Sequence, residues 1–92
     1  MPGSAPPPPF VRLAAHSLRW QLLGELASSD LRVRELVAAV GQPQNLVSYH
    51  LRLLREAGVT RTRPAGTGRW ISLRRDDLDD RFPGLVDVLL SR

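Results

Sequence analysis

Ninety-two residues suit one domain with a modest core, and the absence of cysteine excludes disulfides, zinc–thiolate centres and cysteine chemistry. Neither an apolar run of about 18 residues nor a basic-then-apolar leader is present, so a cytoplasmic protein outside the membrane is expected. The net charge of +4 conceals a division, because residues 1–75 hold eleven Arg against four acids and residues 76–92 hold two Arg against five Asp. A basic body with an acidic end points to a polyanionic partner for the body. All 13 basic residues are Arg, a bias that genome composition explains without selection for bidentate contacts.

Residues 1–9 contain five prolines with Gly and Ser and predict a disordered lead-in that buries little. Residues 10–92 then form a single folded domain. Phe10, Leu13, Ala14, Leu18, Leu22, Leu23 and Leu26 recur at threes and fours over Phe10 to Ser29, which predicts helix, with a break near Ala15 to Ser17 where Ser17 can cap a second segment. Trp20 lies off this stripe and is a candidate for an interface. Leu31-Arg32-Val33 alternates like a very short strand. Arg34 to Val40 predicts a short helix with Leu36, Val37 and Val40 inward.

Gly41 and Pro43 punctuate the chain, and Pro43 suits the first turn of the next helix, where its missing N–H costs nothing. That helix runs to Ala57 and is closed by Gly58 in a left-handed conformation. Val47, Leu51 and Leu54 fall at i, i+4, i+7 and face a core, with Leu53 widening the stripe. The complementary face carries Asn45, Ser48, Tyr49 and Arg52, with Gln44 at the helix start. It presents amide, hydroxyl, phenol and guanidinium groups without an acid, a set suited to base edges and phosphates in a major groove. Two short helices joined by a tight Gly-containing turn make a helix-turn-helix.

Val59 to Arg63 and Arg69 to Leu73 alternate with period two around the turn 64–68 and predict a β-hairpin. Ile71 and Leu73 share its inward face, and Arg61, Arg63 and Arg69 cluster around its tip. A basic hairpin beside such a helix is the wing of a winged helix. Arg74 onward opens with Asp76, Asp77, Asp79 and Asp80, favourable at a helix N-terminus, and is interrupted at Phe82-Pro83-Gly84. Leu85, Val86, Val88, Leu89 and Leu90 are apolar nearly all round, which predicts burial against a second copy. The fold class is mostly α with a small β-hairpin wing, in the order ααααββα.

This order of parts resembles the ArsR-type (arsenic-repressor) winged helix-turn-helix regulators. The resemblance spans about Val11 to Leu78. It is carried by Leu13-Ala14, Arg19 and Leu22-Leu23, by Val33-Arg34-Glu35-Leu36, and above all by the run from Ser48 to Val59, with Gly68-Arg69-Trp70 matching the returning wing strand. It implies a homodimer pairing through its first and last helices, which represses promoters and releases DNA when an inducer binds. The expected sites are therefore Gln44, Asn45, Ser48, Tyr49, Arg52, Arg61, Arg63 and Arg69 for double-stranded DNA, and Phe10, Leu13, Trp20, Leu85, Val86, Leu89 and Leu90 for the dimer.

The chain departs from the family's metal sensors. Their thiolate site lies where this sequence has Leu31-Arg32-Val33-Arg34-Glu35, and their last-helix site needs histidines where none follows His50. Of the two histidines, His16 and His50, the latter holds the signature position beside the recognition helix and reads as a buried or phosphate-contacting group. No metal site and no cofactor are expected, and the inducer is open. Two other readings stand beside the repressor: a winged-helix protein–protein module using Trp20, Trp70 and the last helix, or the DNA-binding part of a longer fusion. An enzyme is not expected. Ser48/His50 and Ser17/His16 are neighbours in sequence, but adjacent helical residues point about 100° apart. Gly66-Thr67-Gly68 reads as the wing turn rather than a phosphate loop.

Overall fold

The computed structural model describes residues 17–91. Its helices are α1 (Ser17–Ser28), α2 (Val33–Val40), α3 (Gln44–Glu56), α4 (Arg75–Arg81) and α5 (Leu85–Ser91), and its strands are β1 (Leu31–Arg32), β2 (Thr60–Ala65) and β3 (Gly68–Leu73). The sheet is antiparallel in the order β1-β3-β2. The helix expected over Phe10 to Ala15 and the lead-in before it lie outside the described residues, as does His16. Ser17, expected as a cap, is already helical.

The core forms where the helical stripes and the inner sheet face converge. Leu18, Leu22, Leu23 and Leu26 of α1 meet Leu36 of α2, Val47, Leu51 and Leu54 of α3, then Val59, Ile71, Leu73, Leu78 and Leu89. Each such side chain contributes on the order of 1.5–3 kcal/mol by leaving water. Val37 and Val40, expected inward, pack against this core while keeping part of their surface in water. Arg75 ties the C-terminal half to α1: its Nη2 donates to the Leu26 and Ala27 carbonyls at 3.3 and 2.8 Å, satisfying acceptors at the end of the helix. No helix among the described residues is long and apolar enough to cross a membrane.

The sheet departs from the expected hairpin in two ways. The short Leu31–Arg32 segment is a third strand, paired Leu31 to Ile71 and Arg32 to Trp70. The strands β2 and β3 also run further than expected, to the pair Ala65–Gly68, leaving a two-residue turn at Gly66-Thr67 instead of the five residues 64–68. Pro64 suggested a break. It sits on the edge strand opposite Arg69, where a missing N–H is tolerated. Gly66 has φ 61°, the positive value that tight hairpin turns require.

The helix-turn-helix is fixed locally at both ends. Glu35 Oε1 accepts from the Arg32 backbone N–H at 2.8 Å and caps the start of α2. Gly41, at φ 68°, ends it, donating to the Val37 carbonyl at 3.0 Å. Pro43 stands one position before α3 rather than in its first turn, and its carbonyl accepts from Leu46 and Val47, both at 3.1 Å. The end of α3 is a Schellman closure: Val59 N–H donates to the Leu54 carbonyl at 2.9 Å and Gly58 N–H to the Arg55 carbonyl at 3.0 Å, with Val59 and Leu54 both buried.

Candidate nucleic-acid interface

The helix α3 is divided cleanly between its two sides. Val47, His50, Leu51 and Leu54 are buried against α1, α2 and the sheet, while Gln44, Asn45, Ser48, Tyr49 and Arg52 are all exposed. Nothing among the described residues buries these five side chains. The amphipathic spacing therefore does two jobs at once, anchoring the helix and lifting a polar face clear of the protein. Leu46, 37% exposed beside Asn45, adds an apolar contact surface that the sequence pattern did not single out.

His50 belongs to the anchoring side. It is 4% exposed, and its Nδ1 accepts a hydrogen bond from Arg19 Nε of α1 at 3.0 Å. Of the two roles open from the sequence, the buried hydrogen-bonded one is what the structure holds. The neighbouring ring of Tyr49 meets His50 edge-on, with centroids 5.2 Å apart. On its other side Tyr49 carries the Arg52 guanidinium, 5.4 Å from the ring centre, and Arg52 Nε lies 4.0 Å from Glu56 Oε2.

The hairpin register separates the three wing arginines that the sequence grouped together. Thr60 pairs with Leu73, Thr62 with Ile71 and Pro64 with Arg69, so these six residues share the face that carries the buried Ile71 and Leu73. Arg69 continues that face past the core and lines a shallow groove with Ser48, Arg52, Arg55 and Thr62. A second hollow brings it beside Arg34 at the start of α2. Arg61 and Arg63 pair with Ser72 and Trp70 on the opposite face. There Arg63 Nη2 lies 3.5 Å from Asp30 Oδ2, and Arg61 borders a cleft of about 400 Å³ that also contains Asp30, Asp76 and Asp77. Arg32 stacks over Trp70 on this outer side at 4.9 Å. Of the three, Arg69 alone is beside the exposed face of α3.

The basic groove instead recruits two residues that the sequence reading left aside, Arg34 and Arg55. Both are exposed, and neither has a partner among the described residues; the same holds for Arg69. Arg55 stands in the last turn of the helix. The available signal was that it lies seven residues after Ser48 and three after Arg52, on the same flank.

The dimer candidates also divide. Leu85 and Val86 are half-buried, Trp20 packs against the core edge, and Leu90 is 53% exposed. Leu89 is 1% exposed within its own chain and so has no surface left for a partner, contrary to expectation. The all-round apolar sequence of α5 concealed which residue turns inward. Val88, part of the apolar run but not among the residues singled out for the dimer, is 56% exposed. Phe10 and Leu13 lie outside the described residues.

Residues 16–61, from α1 through the helix-turn-helix to the first residues of the wing, match the family described as bacterial regulatory protein, arsR family. The chain belongs to the arsR family. It is 45% identical over 56 residues to the HTH-type transcriptional regulator KmtR of Mycobacterium tuberculosis, covering 61% of this chain and 43% of KmtR. The chain spans about half the length of the curated relatives it matches. Among solved structures it is similar to HlyU from Vibrio cholerae, with a TM-score of 0.76 and 25% identity over 87% of this chain and 83% of that one. The fold also matches the winged helix-turn-helix DNA-binding domain of Mb0332 from Mycobacterium bovis, a homodimer, with a TM-score of 0.73 and 23% identity over 99% of this chain and 91% of that domain. This arsR-family chain is thus a winged helix-turn-helix of a class of transcriptional regulators, not of enzymes.

Proposed function

We propose that this arsR-family regulator is a homodimeric, sequence-specific DNA-binding repressor of the cytoplasm. The observation that carries this reading is the exposed face of Gln44, Asn45, Ser48, Tyr49 and Arg52, bordered by the guanidinium groups of Arg34, Arg55 and Arg69, which are unpaired among the described residues. Polar groups with free hydrogen-bonding capacity at the centre and cations at the border match a major groove, whose base edges lie between phosphate rims. The exposed apolar side chains of Val88 and Leu90, continued by Leu85 and Val86, support pairing through the last helix. Two such helices entering successive major grooves on one side of the duplex require a palindromic operator with half-sites about 34–36 Å apart.

Footprinting on an operator selected from random duplex tests this directly. The expected protection is two symmetric patches one helical turn apart on one face of the DNA; a single unsymmetrical patch, or protection without sequence preference, would contradict the reading.

The regulator is further proposed to respond to something other than a thiophilic metal. The chain has no cysteine, and the described residues contain no cluster of three or more His, Asp or Glu placed to hold a metal ion. In the same assay stoichiometric zinc, cadmium or arsenite is expected to leave operator binding unchanged. Release at one metal per protomer would disprove this part.

A further inference from the structure

Arg52 differs from the other arginines of the groove in being held. Its guanidinium rests on the Tyr49 ring at 5.4 Å, and its Nε edge faces Glu56 at 4.0 Å. The Tyr49 ring in turn abuts His50 edge-on, and His50 is buried and bonded to Arg19 of α1 at 3.0 Å. A line of contacts thus runs from the rigid interior to the tip of Arg52. Its terminal Nη1 and Nη2 have no partner among the described residues. An exposed arginine ordinarily loses rotamer entropy when it docks, and one already seated on an aromatic ring loses less. The exposed ion pair to Glu56 adds little on its own, since both side chains are more than half exposed.

We propose that Arg52 is a specificity-determining residue of this regulator, reading a guanine in each half-site, with Tyr49 and His50 as positioning residues that hold its fork. This rests on the DNA-reading function proposed above. The chemistry follows from the free edge: two parallel N–H donors match O6 and N7 of guanine and no other base edge in the major groove. Arg34, Arg55 and Arg69 are unheld and suit the phosphates, where a diffuse charge suffices.

The test is selection from a randomised duplex library with the intact chain, followed by binding measurements on the selected site. Wild type is expected to enrich a motif with one fixed guanine per half-site, and 7-deazaguanine at that position, which keeps O6 but lacks N7, should weaken binding by part of what Arg52→Ala does. Arg52→Ala should lose the preference for guanine over the other bases by roughly 5- to 150-fold. Arg52→Lys should keep most of the affinity and lose the preference, because a point charge does not select the paired acceptors. Tyr49→Ala should lose roughly 2- to 30-fold of the preference while Tyr49→Phe retains it, since the ring and not the hydroxyl does the holding. Retention of the guanine by Arg52→Ala, or Tyr49→Phe behaving as Tyr49→Ala, would overturn the assignment while leaving sequence-specific binding intact. Failure of wild type to enrich any motif would overturn the DNA-reading function itself, and this assignment with it.

Discussion

Aspartate at Leu89 should unfold the chain, whereas aspartates at Val88 and Leu90 together should leave it folded but monomeric. Leu89 is 1% exposed and closes the core against α1, so an aspartate there must bury a carboxylate without a partner. That penalty is several kcal/mol, against a total stability of about 5–15 kcal/mol for a small domain. Val88 and Leu90 are more than half exposed, and at two residues' separation they stand about 200° apart on the two flanks of α5. Charges there meet water in the single chain and meet each other only across a dimer. The expected readout is loss of the cooperative thermal transition for Leu89→Asp. For Val88→Asp/Leu90→Asp it is a nearly unchanged melting curve, a monomer by sedimentation at tens of micromolar, and operator affinity reduced by roughly 10²–10⁴ because the second half-site no longer adds avidity. A folded dimer bearing both aspartates would show that α5 is not the pairing surface.

Leu89 also marks where the sequence ceased to be legible. Over α3 the apolar and polar sets have different spacings, so Val47, Leu51 and Leu54 could be placed inward and Asn45, Ser48, Tyr49 and Arg52 outward from the pattern alone. Over α5 five of the seven residues are apolar, and periodicity carries no direction; only packing against α1 turns Leu89 in and Val88 out. The wing failed for a different reason. Alternation identified the strands, but which arginines share a face depends on the register, and register was set by a two-residue turn that Pro64 concealed. Arg69 shares the face of Ile71 by alternation, and once Thr62 is opposite Ile71, Arg61 and Arg63 fall on the other side. The third strand, two residues long, was visible as alternation but had no partner until the fold brought Trp70 beside Arg32. His50 was legible as a residue beside the recognition helix, and its partner Arg19 was not, because the two are 31 positions apart.

The second large effect separates positioning from reading. Replacing Arg69 by alanine should weaken operator and random DNA alike and lower the salt slope by about one unit, the signature of a lost phosphate contact. Arg61→Ala should leave that slope unchanged, because Arg61 lies on the outer face beside Asp30 and Asp76. Replacing Asn45 by alanine should cost the operator roughly 1–3 kcal/mol, the range for a bidentate base contact, and leave random DNA nearly untouched. Gln44 stands next to Asn45 at the helix start and is exposed in the same way, so the double variant sets the upper bound on the effect.

Salt-dependent binding curves for Asn45→Ala and Arg69→Ala, each on operator and on random duplex, test whether the exposed face of α3 reads bases while the wing holds phosphate. Asn45→Ala is expected to lose affinity on the operator alone and Arg69→Ala on both. Equal losses on both duplexes for both variants would contradict this, because Asn45, at the start of the helix from Gln44 to Glu56, would then not read bases.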